Sequence, residues 1–92
     1  MADAIQVERD PDTERLEALG VYDWPVWEKE ASEFPWTYDG RETAYILEGE
    51  VTVTPDGGEP VVIRAGDLVT FPDGMSCHWN IHRDVRKHYR ID

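Results

Sequence analysis

Four turn-forming segments divide the chain after residue 38 into short runs, and no other sequence feature constrains the fold as strongly. They lie at residues 39–40, 55–58, 65–67 and 72–74. Each contains glycine with proline or aspartate, residues that tolerate a positive φ or preset a turn. The runs between them are rich in β-branched and aromatic side chains, which favour strands. Many short strands with regular turns are typical of an all-β sandwich or barrel.

The expected elements are one short helix followed by strands only. Asp10 can cap the helix, Pro11 suits its first turn and Gly20 can end it, so we predict a helix over residues 10–20. Pro25 makes the first strand an edge strand or the approach to one. The predicted strands lie at residues 22–27, 34–38, 43–47, 50–54, 61–64, 68–71, 77–81 and 85–91.

Length and composition limit the domain count, the partners and the compartment. With 92 residues we expect one domain, residues 1–92, in which the helix precedes a barrel at residues 21–92. The formal net charge of −11 argues against unaided binding to nucleic acid or to anionic membranes. Neither a signal peptide nor a run of roughly 18 apolar residues is present, and the single cysteine, Cys77, has no partner for an intramolecular disulfide. A cytoplasmic protein is expected.

Two stretches of the chain carry fixed spacings of glycine, proline and glutamate. Glu42 is followed by Gly49 after six residues, and Gly66, Pro72 and Gly74 form a second spaced set. These spacings resemble the two signature stretches of the cupin family. The resemblance implies an all-β fold of the cupin type, a jelly-roll β-barrel, here with one short helix at its N-terminal side.

The cupin resemblance also implies a metal site, which is normally formed by three histidines and one glutamate. Glu42 stands at the glutamate position, but Trp36, Tyr38 and Cys77 stand where the pattern has histidines. We therefore expect no cofactor. Manganese, zinc and iron are the divalent metals that the family pattern would allow.

A finer resemblance narrows the family. Residues 24–34, 45–49, 66–72 and 85–89 resemble the small cupins grouped with the (S)-ureidoglycine aminohydrolases. The two-domain aminohydrolases of that group use a metal ion, usually manganese, to release ammonia from ureidoglycine. Because this chain lacks the histidine ligands, the resemblance does not by itself imply that activity.

The candidate site follows from the cupin pattern and from strand alternation. A strand over residues 77–81 directs Cys77 and Trp79 to one face and His78 to the other. Because Cys77 stands at a histidine position of the cupin pattern, its face is the inward one. The predicted lining of the barrel mouth is Trp36, Tyr38, Glu42, Cys77 and Trp79.

These residues admit four interpretations. As a metal site, Glu42 and Cys77 supply two ligands, fewer than the three of a typical catalytic zinc. As a metal-free active site, Glu42 would be a general acid or base and Cys77 a nucleophile, which needs a nearby base or cation such as His82 or Arg41. As a binding site, the aromatic faces and Glu42 suit a small cationic or polyhydroxyl ligand. As a structural cluster, Cys77 and the aromatic side chains are simply core.

The sequence therefore predicts a cupin-domain protein that binds a small polar or nitrogenous metabolite in the barrel mouth. The alternative is an enzyme resembling ureidoglycine aminohydrolase, dependent on a metal or on Glu42 and Cys77 as catalytic residues. We also expect a homodimer formed through the edge strand at residues 22–27, since an edge strand with two tryptophans needs covering.

Overall fold

The computed structural model describes residues 4–92, which form seven strands, one α-helix and one 3₁₀ turn. All the strand pairs are antiparallel, and the all-β prediction is confirmed. In chain order the elements are β1 (Gln6–Arg9), α1 (Thr13–Leu19), the 3₁₀ turn (Val21–Asp23), β2 (Val26–Lys29), β3 (Ser32–Thr37), β4 (Glu42–Pro55), β5 (Val61–Arg64), β6 (Asp67–Phe71) and β7 (Ser76–Ile91). None of the helices in this part of the chain is long and apolar enough to cross a membrane.

The two long strands β4 and β7 connect two layers of sheet. In one layer the first part of β4 pairs with the last part of β7. β6 pairs with the other edge of β4, β2 pairs with the other edge of β7, and β1 extends the layer beyond β6. The second part of β4 and the first part of β7 pair with each other and with β5 and β3. This arrangement is the expected jelly roll. The sequence predicted two strands, at residues 43–47 and 50–54, where the structure has the single strand β4. It likewise predicted two, at residues 77–81 and 85–91, where the structure has β7.

The strands pass from one layer to the other near Gly49. The β4–β7 register shifts between Ile46 and Val51, as at a β-bulge. Gly49 has a φ of 99°, and a Cβ at this position would lie 2.8 Å from the carbonyl oxygen of Arg83 and closer still to that of Asp84. Only glycine fits both this backbone conformation and this close approach.

The core lies between the layers and follows the alternation of β4. Glu42, Ala44 and Ile46 are buried along the first part of that strand, and Thr43 and Tyr45 between them are only partly buried. The second part of β4 forms a hairpin with β5, in which Val53 pairs with Val61. Glu42 therefore projects from the same face that carries the core side chains. That cluster contains Tyr38, Ala44, Ile46, Val51, Val53, Ile63, Val69, Phe71, Cys77, Trp79, Ile81 and Val85.

The N-terminal helix is shorter than predicted and has a different cap. It spans Thr13–Leu19, and its cap is Asp12, whose carboxylate accepts from the backbone N–H of Arg15 at 2.9 Å. Asp10 instead has a φ of 46°, and its N–H donates to the carbonyl of Gly66 at 3.1 Å, which ties it to the turn before β6. Gly20 ends the helix in the left-handed conformation, as expected.

The segment predicted as an edge strand over residues 22–27 begins differently in the structure. Tyr22 belongs to the 3₁₀ turn, and the strand starts only at Val26, one residue after Pro25. Trp24 and Trp27 are both half-buried against the rest of the chain. β2 still lies at the end of its layer. Association of two copies through this edge stays a prediction.

Candidate functional site

A cavity of about 200 Å³ opens beside the core where β2, β3, β4 and β7 meet. Its walls are aromatic and aliphatic apart from one carboxylate, one ammonium group and two phenol hydroxyls. The lining residues are Trp27, Phe34, Trp36, Tyr38, Glu42, Trp79, Lys87, Tyr89 and Ile91. Four of the five residues predicted from sequence are among them, and Cys77 is not.

Glu42 and Lys87 form a buried ion pair in the wall of this cavity. Lys87 Nζ donates to Glu42 Oε2 at 2.6 Å, and both side chains are less than a tenth exposed. Glu42 begins β4, and Lys87 lies opposite Ile46 on β7, so both project from the inward face of paired strands. A charged pair this deep requires close geometry, because desolvation of each group opposes its burial.

The ammonium of Lys87 is surrounded by aromatic rings. Lys87 Nζ lies 4.9 Å from the ring centroids of both Trp27 and Trp79 and 5.9 Å from those of Phe71 and Tyr89. Ring faces attract a cation electrostatically, but they replace little of its hydration. Desolvation by burial consequently lowers the pKa of Lys87, and the adjacent Glu42 carboxylate opposes that shift.

Lys87 was not predicted as a site residue. It lies in a basic run with Arg83, Arg86 and Arg90, which the sequence indicates as surface charge. Strand alternation is the signal that could have indicated it. In one strand that continues from Cys77, the residues Lys87 and Tyr89 fall on the same face as Cys77 and Trp79. The irregular pairing near Gly49 interrupts that alternation between residues 82 and 84.

Tyr38 supplies a neutral hydroxyl at the cavity. Its ring stacks on Phe71 with centroids 4.7 Å apart, and its Oη accepts from Trp79 Nε1 at 3.2 Å. Burial raises the pKa of Tyr38, so the group remains a phenol. The Tyr38 backbone bonds to Met75 and Gly74, which fixes it against the turn of the second signature stretch.

Cys77 lies beneath the cavity wall. It pairs with Trp36 across β3 and β7, is buried, and its thiol donates to the Trp36 carbonyl at 3.5 Å. Burial raises the pKa of the thiol, which disfavours the thiolate needed by a nucleophile. The two residues suggested as its base or cation bond elsewhere, Arg41 to Asp92 and His82 to Thr52.

We expect native Cys77 to react with a thiol reagent more slowly than in the urea-unfolded chain, because burial limits access to the thiol and raises its pKa, which lowers the fraction present as thiolate. Absorbance after mixing with a disulfide reagent measures both rates. The Cys77→Ala variant is the control for background reaction. A native rate equal to or above the unfolded rate would restore Cys77 as a candidate nucleophile.

The donor set does not fit a cupin-type metal ion. Among residues 4–92 no cluster of three histidine, cysteine, aspartate or glutamate side chains has the geometry to hold one. Trp36 and Tyr38 supply no imidazole at the histidine positions, and the Glu42 carboxylate is already bonded to a lysine ammonium. A second cation at this carboxylate would lie against the buried charge of Lys87.

Solved structures of other proteins share this architecture. A DUF861 family protein from Thermotoga maritima is 52% identical and matches 97% of this chain and 100% of its own, with a TM-score of 0.93. A putative ethanolamine utilization protein Q from Salmonella typhimurium is 33% identical, with a TM-score of 0.62, over 70% of this chain and 51% of that protein. The EutQ protein of Clostridium difficile is 25% identical, with a TM-score of 0.63, over 70% of this chain and 50% of that protein.

The sequence comparison identifies the same relationship. No curated protein sequence matches the chain. The profile of the EutQ-like cupin domain matches residues 16–89, from the helix to the last strand. The chain spans about half the length of the two EutQ proteins and the full length of the Thermotoga maritima protein. This chain therefore belongs to the family of EutQ-like cupin domains, DUF861.

Proposed function

We propose that the cavity binds a small neutral metabolite that carries a carbonyl or amide group on an apolar body. The observation that carries this proposal is the buried Glu42–Lys87 pair in an otherwise largely apolar wall. An ammonium has three N–H donors, and Glu42 uses one of those of Lys87. A ligand oxygen is the natural acceptor for another.

An amide or ureido group complements this pair better than a charged group does. Its carbonyl oxygen accepts from Lys87 or from the Tyr38 hydroxyl, and its N–H donates to Glu42, whose Oε1 can accept a further hydrogen bond. A cationic ligand is disfavoured because Lys87 already occupies the position over the Trp27 and Trp79 rings. Of the small polar or nitrogenous metabolites that the sequence predicts as ligands, the proposal therefore favours uncharged amides and ureido compounds.

The aromatic walls select for a flat or apolar ligand body. Trp36 lies at the rim, where half of its surface is exposed, and Phe34 packs edge-on against it with centroids 6.5 Å apart. Exposed aromatic rings beside an apolar cavity offer stacking area at little entropic cost. A volume of about 200 Å³ suits a ligand of metabolite size.

The enzymatic alternative is hydrolysis in the manner of the ureidoglycine aminohydrolases, which the finer sequence resemblance suggests. It shares the ureido ligand class with the binding proposal. However, it requires either a metal at Glu42, for which the donor set does not fit, or a reactive thiol at Cys77, whose pKa burial raises. The geometry therefore favours binding without hydrolysis.

We expect benzamide to bind in the cavity and shift the indole N–H resonance of Trp79 in a ¹H–¹⁵N NMR titration. Benzylammonium, its cationic counterpart, should bind at least about tenfold more weakly, since it places a second cation beside Lys87. The Trp36→Ala variant should weaken benzamide binding about 2–10-fold, the range expected for one aromatic contact.

Tyr22→Ala is the matched control, because Tyr22 is 47% exposed against 50% for Trp36 but does not line the cavity. Its affinity for benzamide should equal that of the unmodified protein. The proposal fails if benzamide leaves the Trp79 indole unshifted at saturating concentrations. It also fails if both variants weaken binding equally.

A further inference from the structure

We infer that Lys87 is a nucleophile that captures small aldehydes in this cavity as an imine, with Glu42 exchanging the proton. The inference rests on the proposed binding of carbonyl compounds and assigns a covalent chemistry to the same site. It is carried by three features, namely an amine that lines a cavity, a carboxylate bonded to that amine, and aromatic walls that favour the cationic product.

The position of the amine provides the first feature. Lys87 lines the cavity although its side chain is only 6% exposed. A carbonyl compound that enters the cavity therefore contacts Lys87, a side chain that the rest of the protein surface hardly presents. A lysine at such a site is the usual nucleophile for carbonyl substrates, since its amine adds to the carbonyl carbon.

The carboxylate provides the second feature. Glu42 Oε2 accepts from Lys87 Nζ at 2.6 Å, so a proton can pass between them without rearrangement. The transfer gives a neutral amine and a neutral carboxylic acid, so it places no new charge in the apolar surroundings. The lowered pKa of Lys87 agrees with this, because it makes the unprotonated, nucleophilic amine more accessible.

The proposed steps balance as follows. Glu42 takes a proton from the Lys87 ammonium. The amine nitrogen then adds to the aldehyde carbon as the C=O π bond breaks towards oxygen, and a proton passes from that nitrogen to the oxygen to give a neutral carbinolamine. Glu42 returns its proton to the hydroxyl group, which leaves as water while the C–N double bond forms. One ammonium and one aldehyde thus give one protonated imine and one water, and Glu42 ends as the carboxylate. No oxidant or reductant is consumed.

The walls of the cavity stabilise the product more than the free aldehyde. A protonated imine keeps the positive charge of Lys87 beside Glu42 and near the rings of Trp27 and Trp79, whose centroids lie 4.9 Å from Nζ. The apolar part of the aldehyde packs against the remaining aromatic walls. The substrate class is therefore a small, uncharged aldehyde with an aliphatic or aromatic body.

The chain contains its own reference amine. Lys29 is the only other lysine. It is exposed on β2 and its Nζ lies 5.4 Å from the Phe34 ring. In residues 4–92 no carboxylate lies within ion-pair distance of it. Its rate of reaction with an aldehyde is therefore an internal reference for an exposed lysine, measured in the same sample as Lys87.

The experiment treats the intact protein with butyraldehyde and sodium cyanoborohydride, which reduces the protonated imine to a stable secondary amine. Peptide mass mapping then gives the extent of alkylation at Lys87, at Lys29 and at the terminal amine separately. We expect Lys87 to be alkylated at least about tenfold faster than Lys29, a smaller factor than the roughly 100- to 10,000-fold that general acid–base assistance can contribute. Glu42→Gln should slow Lys87 at least about tenfold and leave the rate at Lys29 unchanged.

Alkylation of Lys87 no faster than Lys29 in the unmodified protein would overturn the inference, and this result does not depend on any variant folding. An unchanged Lys87 rate in a folded Glu42→Gln variant would overturn the role of Glu42.

Benzamide should slow alkylation at Lys87 and not at Lys29. If benzamide binds but Lys87 is not trapped, the binding proposal stands and the imine chemistry fails. If benzamide does not bind, the binding proposal fails whatever the trapping rate.

Discussion

Replacing Lys87 with methionine is expected to lower the free energy of unfolding by about 3–5 kcal/mol, because the buried Glu42 carboxylate then has no cation beside it. Methionine is also long and unbranched, so the contacts of the side-chain stem with the surrounding aromatic rings are retained. The loss is thus assigned to the unpaired charge rather than to a cavity. Urea unfolding followed by far-ultraviolet circular dichroism measures it.

Arg86→Met is the matched control for this prediction. Arg86 is the neighbouring residue on β7, is exposed, and lies 3.3 Å from a Glu28 carboxylate oxygen. Its removal should cost no more than about 1 kcal/mol, as for other surface ion pairs. The double variant Glu42→Leu with Lys87→Met should recover at least half of the loss, since an apolar replacement removes both desolvation penalties. Equal losses for Lys87→Met and Arg86→Met would show that the pair is not buried as described.

The Gly49→Ala variant is expected to lose about 2–5 kcal/mol of stability, the sum of about 1–2 kcal/mol of backbone strain and about 1–3 kcal/mol of overpacking. With a φ of 99°, alanine is strained at this position, and its Cβ meets the backbone carbonyls of Arg83 and Asp84. Backbone atoms in paired strands cannot rotate away as a side chain can. Urea unfolding measures the loss.

Gly57→Ala separates the two contributions. Gly57 has a φ of 71°, but a Cβ there meets no atom within 4 Å. This variant should therefore lose only about 1–2 kcal/mol, the cost of placing an L-residue in the left-handed region. If Gly49→Ala costs no more than Gly57→Ala, the close approach of β4 to β7 contributes nothing to the requirement for glycine.

The fold was largely predictable because its turns are encoded locally. Gly66, Pro72 and Gly74 act through their own backbone preferences, so the sequence reveals them without tertiary information. β1 was not predicted, since Gln6–Arg9 is mostly polar and is a strand because β6 offers it hydrogen bonds. The helix boundary moved from Asp10 to Asp12 for a similar reason, the bond of Asp10 to the backbone of Gly66.

The candidate site was only partly predictable. The cupin pattern placed Glu42, and strand alternation placed Trp79, on the inward face, and both residues are buried in the structure. The partner of Glu42 was hidden, because a lysine in a basic run gives no sign of burial until the pairing of β4 and β7 is known. Trp27 and Phe34 were missed for the same reason. They reach the cavity by strand pairings that join distant parts of the chain.

The cation beside Glu42 is part of the polypeptide, and this sets when and how the site becomes complete. A metal centre depends on a supply of metal that varies with the cell, and a chelator can empty it. The ammonium of Lys87 is synthesised as part of the chain, so every Glu42 carboxylate has one. It comes to lie beside that carboxylate when β7 pairs with β4. The ion pair is therefore assembled in every folded copy, whatever metals surround it.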